Sequence, residues 1–366
     1  MSSNTKFFTA AAVAALLSLS AHAAEDTALN AVDRTAIVQA LVAKLNANYI
    51  EPDIAARVGQ AIARKNADGG YANEAGAQSF SAALAKDLRE FSGDLHFGVK
   101  RDESFREFER NSAPPSRAEM EEAREATARW GYGIEKVERL PGNVGYIELR
   151  GFGSTEFVGP AFTSAISLMV GTEALIVDLR RNGGGSPASV AYFMSHFIPH
   201  GDQRHLIDMF NRPEGTTRQF WTVPTVTVRY DKPVYVLTSG RTFSGGEDCA
   251  YDFQALKRGT LVGETTGGGS NPVGWFGLGH GMIVAIPTSR TTNYITKTNW
   301  EHVGVKPDIA VPAAEALRTA HAGILRTLIA SAKDEKERGE LQRVLAMVEK
   351  GETEKPVYTL RGERKR

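Results

Sequence analysis

The chain has a single cysteine, Cys249, so no intrachain disulfide can staple it and the fold must rest on a packed core. Cys249 stands beside Ala250, Tyr251 and Phe253 in a helical stretch and reads as a small buried filler rather than a nucleophile. There is no excess of charge either. Lys+Arg number 43 and Asp+Glu 43, which argues against a polyanion-binding surface, and the aromatics do not interleave with Arg and Lys as a nucleic-acid face requires. Metal-ligand spacing is also missing. His196 and His200 are i, i+4, but no Glu follows His196 and Pro199 lies between them, so there is no H-E-x-x-H. No metal, organic cofactor or nucleic-acid partner is implied. After the N-terminus no apolar run approaches the roughly 20 residues that cross a bilayer.

The first residues, MSSNTKFFTAAAVAALLSLSAHAAED, do carry an apolar run. A lysine precedes it and Ala21-His22-Ala23 follows, the pattern of a cleaved secretory leader over 1–23. The mature protein is therefore expected outside the cytoplasm, in the periplasm of a Gram-negative host and otherwise secreted, with no stable membrane insertion. Residues 24–92 hold three amphipathic stretches and predict a small helical subdomain. Residues 93–129 carry a histidine and then a charged linker broken by Pro114-Pro115. Residues 130–312 change texture. The runs NVGYIEL, EALIVDL, PVYVLT, TLVG and MIVAIP alternate with helical stretches, which predicts an α/β core around a mostly parallel sheet. Residues 313–366 are expected to form a helical tail ending in a frayed RGERKR.

Parallel sheets gather their sites at the carboxyl ends of strands. That rule selects RRNGGGS (180–186), SGRTFSGG (239–246) and GETTGGGSNP (263–272). Ser244 opens a helix after PVYVLT, and Ser-Gly-Gly-Glu fits the S-x-x-E capping box. Yet Gly245 and Gly246 weaken a first helical turn and bare its N–H groups, the means of stabilising an oxyanion. A serine between strand and helix also has the logic of a nucleophile elbow, although G-x-S-x-G is not present. Three consecutive glycines, Gly183 to Gly185, have no evident packing purpose and suit either a plain turn or a nest of N–H groups facing a ligand. A serine nucleophile needs a base, and His96, His280 and His302 are the candidates.

The motifs WGYGIEKVERLPGNVGYIELRGF, ALIVDLRRNGGGS, VYVLTSGRTFSGGE, LVGETTGGGSNPVG and WEHVGVKPDI occur in this order. Together they resemble the tail-specific, or C-terminal-processing, serine peptidases of family S41. The resemblance is greatest to the branch of the interphotoreceptor retinoid-binding protein repeats and the tricorn core protease. It implies a crotonase/ClpP-like core, with Ser244 as nucleophile, His96 of GDLHFG as general base and Glu301 as the acidic member of the relay. Gly245 and one glycine of the triplet, Gly184 by preference over Gly183 and Gly185, would form the oxyanion hole. Two departures matter. The processing peptidases place a lysine base in a segment like T-F-G-K-G, where this chain has Thr266 to Ser270 with Gly269 near the lysine position. Leu95 replaces a polar residue before the histidine, so His96 must be oriented from elsewhere, Glu301 being the available group. The stretch 97–130 is too short for a PDZ-like insertion.

The expected function is a secreted serine-type endopeptidase acting on peptide or protein substrates. The alternatives are a carrier of hydrophobic ligands on the same fold and a small-molecule esterase or amidase. A crotonase-like acyl-CoA enzyme fits the core but not the export signal.

Overall fold

The structure, a computed structural model, describes residues 27–105 and 116–352. The expected leader, the Pro114-Pro115 break and the RGERKR end lie outside the described residues. The first helices are α1 (Ala31–Asn48), α2 (Pro52–Ala67) and α3 (Ala77–Ser92). Asn30 caps α1 in a reciprocal box with Asp33, Pro52 pre-sets the start of α2, and Gly93 ends α3 at φ 78°. Strand β1 (Gly98–Arg101) follows, then α4 (Arg117–Arg129), a helix with no buried residue.

The central part runs β2 (Ile134–Leu140), β3 (Val144–Leu149), α5 (Thr155–Met169), β4 (Ala174–Asp178) and α6 (Pro187–Ser195). It continues with β5 (His205–Asn211), β6 (Thr216–Trp221), β7 (Val234–Thr238), α7 (Gly245–Ala255) and β8 (Thr260–Gly263). Then come β9 (Val273–Gly279), β10 (Met282–Pro287), β11 (Ser289–Asn293), β12 (Ile309–Ala310), α8 (Ala313–Ala330) and α9 (Glu335–Glu349).

The main sheet has the order β12-β8-β7-β4-β3-β2. Its strands are parallel except for the β2–β3 hairpin. The succession β3, β4, β7, β8 moves across the sheet in one direction. Right-handed crossovers that advance one way put every connecting helix on the same face, and α5, α6 and α7 all pack there with Ile147, Val177, Val236 and Leu261. The other face, Tyr146, Ile176, Leu237 and Val262, is covered by Ala316, Ala320 and Ile324 of α8. The strands are buried on both sides and so read as continuous apolar runs.

One run behaves differently from the sequence expectation. MIVAIP is not in the parallel sheet. As β10 it pairs antiparallel with β1 and β9, and Met282, Val284 and Ile286 pack into the core of α1, α2 and α3. A fully apolar strand is buried on two faces, and its composition does not reveal which sheet buries it. A third sheet, β11-β5-β6, has no counterpart among the expected strands.

Helix α7 buries Asp248 and Asp252, one turn apart. Burial raises both carboxyls above their ordinary value, Asp248 to about 7, and the charge of Asp248 raises Asp252 further. The folded chain thus keeps protons that the unfolded chain releases near pH 4. It binds more protons than the unfolded state, so stability falls as pH climbs from about 4 through the folded values. Asp252→Asn keeps an acceptor for Asn293, whose amide donates to Asp252 at 3.0 Å. This variant is expected to flatten the decline. Its gain over the parent should be small at pH 4 and grow steadily toward pH 8, read from thermal unfolding across that range.

Candidate active site

Two loops leave the carboxyl ends of the adjacent strands β4 and β7 and are bonded to each other. Thr242 Oγ1 donates to the Leu179 carbonyl at 2.8 Å, Ser239 Oγ to the Arg180 carbonyl at 2.6 Å, and the Phe243 N–H to the Asn182 carbonyl at 3.0 Å. Fixed in this way, the second loop delivers Ser244 at φ 52°, ψ −122°. An L-residue at such angles is strained by about 1–3 kcal/mol, which persists only where its surroundings enforce it. Ser244 is the N-cap of α7. Its carbonyl accepts from the Glu247 and Asp248 N–H groups, and its own N–H donates to Glu247 Oε2 at 2.9 Å. Cap and elbow are therefore one conformation.

Two glycines of the triplet, Gly184 and Gly185, have a packing purpose, contrary to the sequence expectation, while a Cβ on Gly183 would meet nothing. A Cβ on Gly184 would lie 2.7 Å from Ser244 Cβ, one on Gly185 2.0 Å from the Phe152 carbonyl oxygen, and one on Gly246 2.7 Å from Asn182 Oδ1. The N–H groups of the triplet are not equivalent. Gly183 donates to the Arg150 carbonyl at 3.2 Å and Gly184 to Asn182 Oδ1 at 2.8 Å. Among the described residues no acceptor takes the N–H of Gly185 or of Gly245. Both glycines line, with Ser244, a pocket of about 50 Å3. The expected donor Gly184 is thus already engaged by a side chain. Its lack of a Cβ lets the serine approach, and Gly185 holds the free N–H.

His96 sits between α3 and β1. Asp94, fully buried, accepts its backbone N–H at 3.0 Å and also bonds the Asn271 amide at 3.2 Å. The imidazole lies against Phe243, the residue before Ser244, with ring centroids 4.6 Å apart. Its Nδ1 is 3.7 Å from Asp94 Oδ1. Both ring nitrogens are buried without a hydrogen bond among the described residues, so no bond joins the imidazole to Ser244 in this structure. Unliganded sites commonly leave that contact open. Glu301 Oε2 accepts the Ser270 N–H at 2.5 Å, and Oε1 makes no hydrogen bond but lies 3.8 Å from His302 Nδ1. Burial, then the Asp94 charge, pushes the Glu301 carboxyl up, while the Ser270 bond holds it back. Polar atoms of Asp94, His96 and Glu301 come within 4.8 Å of one another. That arrangement could hold an imidazole between two carboxylates, or a divalent cation.

The loop at 266–270 joins these groups. The buried carboxylate of Glu247 accepts from Thr266 Oγ1 at 2.5 Å and from the Gly268 and Gly269 N–H groups at 2.7 and 2.9 Å, besides Ser244. Trp300 Nε1 donates to the Gly269 carbonyl at 2.8 Å and the His302 N–H to that of Gly268 at 2.9 Å. A Cβ at Gly269 would fall 2.3 Å from the Phe243 ring and 2.7 Å from His96 Cε1. A lysine at this position would therefore collide with the His96 and Phe243 rings, which lie tilted against each other.

Of the other candidates, His302 is turned to the Gly93 carbonyl at 3.1 Å and His280 lies beside Asp33 at 3.8 Å. Leu95 is exposed. Glu247, Asp94 and Asn182 were not anticipated as site residues. Their only sequence signals are the capping box, the D-x-H spacing and the residue before the glycines.

A model of peptidase family S41 matches residues 143–311. A model of the N-terminal domain of peptidase S41 in eukaryotic IRBP matches residues 28–130. Among solved structures the chain is similar to a candidate peptidase from Parabacteroides merdae ATCC 43184, with TM-score 0.54, 20% identity and coverage of 82% of this chain and 99% of that one. It is also similar to a lipoprotein from Streptococcus agalactiae, with TM-score 0.51, 15% identity and coverage of 80% and 96%. These two likenesses show the fold. The photosystem II D1 C-terminal processing protease matches over 47% of this chain at 24% identity with TM-score 0.39, and the chain spans 43% of its length.

Proposed function

The chain belongs to peptidase family S41, and on that premise we propose that it is an exported serine endopeptidase acting by acyl transfer. Ser244 is the nucleophile, His96 the base and Glu301 the carboxylate that steadies the imidazolium. The observation that carries the reading is the strained serine at the mouth of α7, set against the unengaged N–H groups of Gly185 and Gly245.

In the reaction Ser244 Oγ adds to the peptide carbonyl carbon while His96 takes the hydroxyl proton. Asp94 lies on the Nδ1 side of the ring, which leaves Nε2 for the serine. The electron pair of the C=O bond moves onto oxygen, where the two N–H groups receive it. Donors of this kind are each worth about 3 kcal/mol of barrier. Collapse of the adduct breaks the C–N bond, and the departing amine takes the proton from His96. Water then repeats the sequence on the ester and frees Ser244.

A fluorophosphonate is expected to label Ser244 in one-to-one stoichiometry, read by mass spectrometry, and hydrolysis of an unfolded protein substrate is expected to continue in EDTA. Labelling absent at Ser244 would overturn the assignment. Activity lost to EDTA and restored by a divalent metal would instead give the Asp94–His96–Glu301 cluster a metal-binding role. Export is tested by the mature N-terminus, expected at Ala24.

A further inference from the structure

Asp248 stands one turn beyond Ser244 on the same face of α7, and its residue forms part of the pocket that opens at Ser244 and Gly245. It is 4% exposed, and its Oδ1 has no hydrogen-bond partner among the described residues. A buried polar atom left unpaired costs about 1–3 kcal/mol. Its neighbours Cys249, Ala250 and Phe253 are apolar core residues, and the one polar residue a turn further along α7, Asp252, is bonded to the Asn293 amide rather than to Asp248. The remaining wall includes Ile207, Thr291 and Trp300.

An acyl carbon on Ser244 Oγ with its oxygen at the two N–H groups would stand at the wall of this pocket, which makes the adjoining substrate side chain the group within its reach. Size limits what enters. About 50 Å3 holds roughly three or four non-hydrogen atoms when a water requires 10–15 Å3 on the same measure. Phenylalanine, lysine and arginine are too large.

We propose that Asp248 is the specificity-determining residue of this pocket and that it selects a small hydroxylated side chain, serine or threonine, on the acyl side of the cleaved bond. The inference rests on the acyl-transfer reading above. Burial favours the protonated form of the carboxyl, which offers both an O–H donor and an acceptor to a substrate hydroxyl, while Thr291 adds a second polar group to the wall. An isosteric valine would leave the Asp248 carboxyl desolvated and unpaired, the situation in which a polar site discriminates most strongly.

The test uses two peptidyl phosphonate esters that differ only in carrying a threonine-like or a valine-like side chain at the reacting position. Their second-order rates of labelling Ser244 are measured with the full mature chain. The threonine-like probe is expected to react at least about tenfold faster. In Asp248→Ala the ratio should fall to about one, and Asp248→Asn, which keeps the shape and a hydrogen-bonding group, should retain part of it. Equal rates in the parent, or a ratio unchanged in Asp248→Ala, would overturn the specificity role while leaving the nucleophile in place. No labelling by either probe or by a simple fluorophosphonate would overturn the acyl-transfer reading and this inference with it.

Discussion

Replacing Ser244 by alanine is expected to lower kcat on peptide substrates by about 10^4- to 10^6-fold, the scale seen when a nucleophile that acts as part of a unit is removed. The fold should survive, because the bonds at this position run through the backbone: the N–H to Glu247 and the carbonyl to the start of α7. A second substitution separates the elbow's chemistry from its conformation. At φ 52°, ψ −122° an alanine is as strained as a serine, but glycine is at ease there. Ser244→Gly should therefore be equally inactive and more stable than Ser244→Ala by about 1 kcal/mol, since strain relief of 1–3 kcal/mol exceeds the added flexibility of the unfolded chain. Urea unfolding of the two variants measures the difference. An elbow held for function predicts inactivation together with stabilisation, whereas a simple helix cap predicts loss of stability in both.

The largest stability effect is expected at Glu247. This residue is fully buried, and its two oxygens accept from Ser244, Thr266, Gly268 and Gly269. Burial pushes its carboxyl above the usual range and those four donors pull it back. Glu247→Ala orphans all four donors in a dry interior. Each orphan costs about 1–3 kcal/mol when no water reaches it, so with partial relaxation a loss of about 4 kcal/mol is expected, much of a typical stability of 5–15 kcal/mol. Glu247→Gln presents an NH2 group where an acceptor is needed and should cost about half as much. Activity should fall in both variants beyond what unfolding explains. The 266–270 loop presents Gly269 to His96 and the Ser270 N–H to Glu301, so a loop that shifts misplaces base and carboxylate together. Comparing kcat well below the unfolding midpoint with the urea curve separates the two effects.

The parts of the chain legible from sequence are those in which a local pattern meets a single environment. Strands β3, β4 and β7 are short apolar runs bounded by turn residues, and α5 to α7 carry helical spacing between them. The hairpin of β5 and β6 escaped because TTRQFW is almost wholly solvent-facing and offers no alternation to read. The choice among Gly183, Gly184 and Gly185 could not be made from three identical residues. It depends on where the Asn182 side chain goes, which is a tertiary fact. Glu301 is legible only through the resemblance of WEHVGVKPDI and its place in the order of motifs, since a lone carboxylate in a loop carries no spacing of its own. Glu247 was visible as half of a capping box, but its bonds to residues 266–269 span the distance between two strands. Asp248 and Asp252 are spaced like a solvated helix face, and only their burial distinguishes them from one.

The one-directional march of β3, β4, β7 and β8 leaves half of the sheet to be covered by α8 alone. That helix begins at Ala313, after every strand of the sheet has been synthesised. Until it emerges, Tyr146, Ile176, Leu237 and Val262 have no lid, and a sheet with one naked apolar face is not a stable intermediate. This face of the sheet is therefore the last of the buried surfaces to be closed, while the cores under α5 to α7 and under α1 to α3 need nothing from α8.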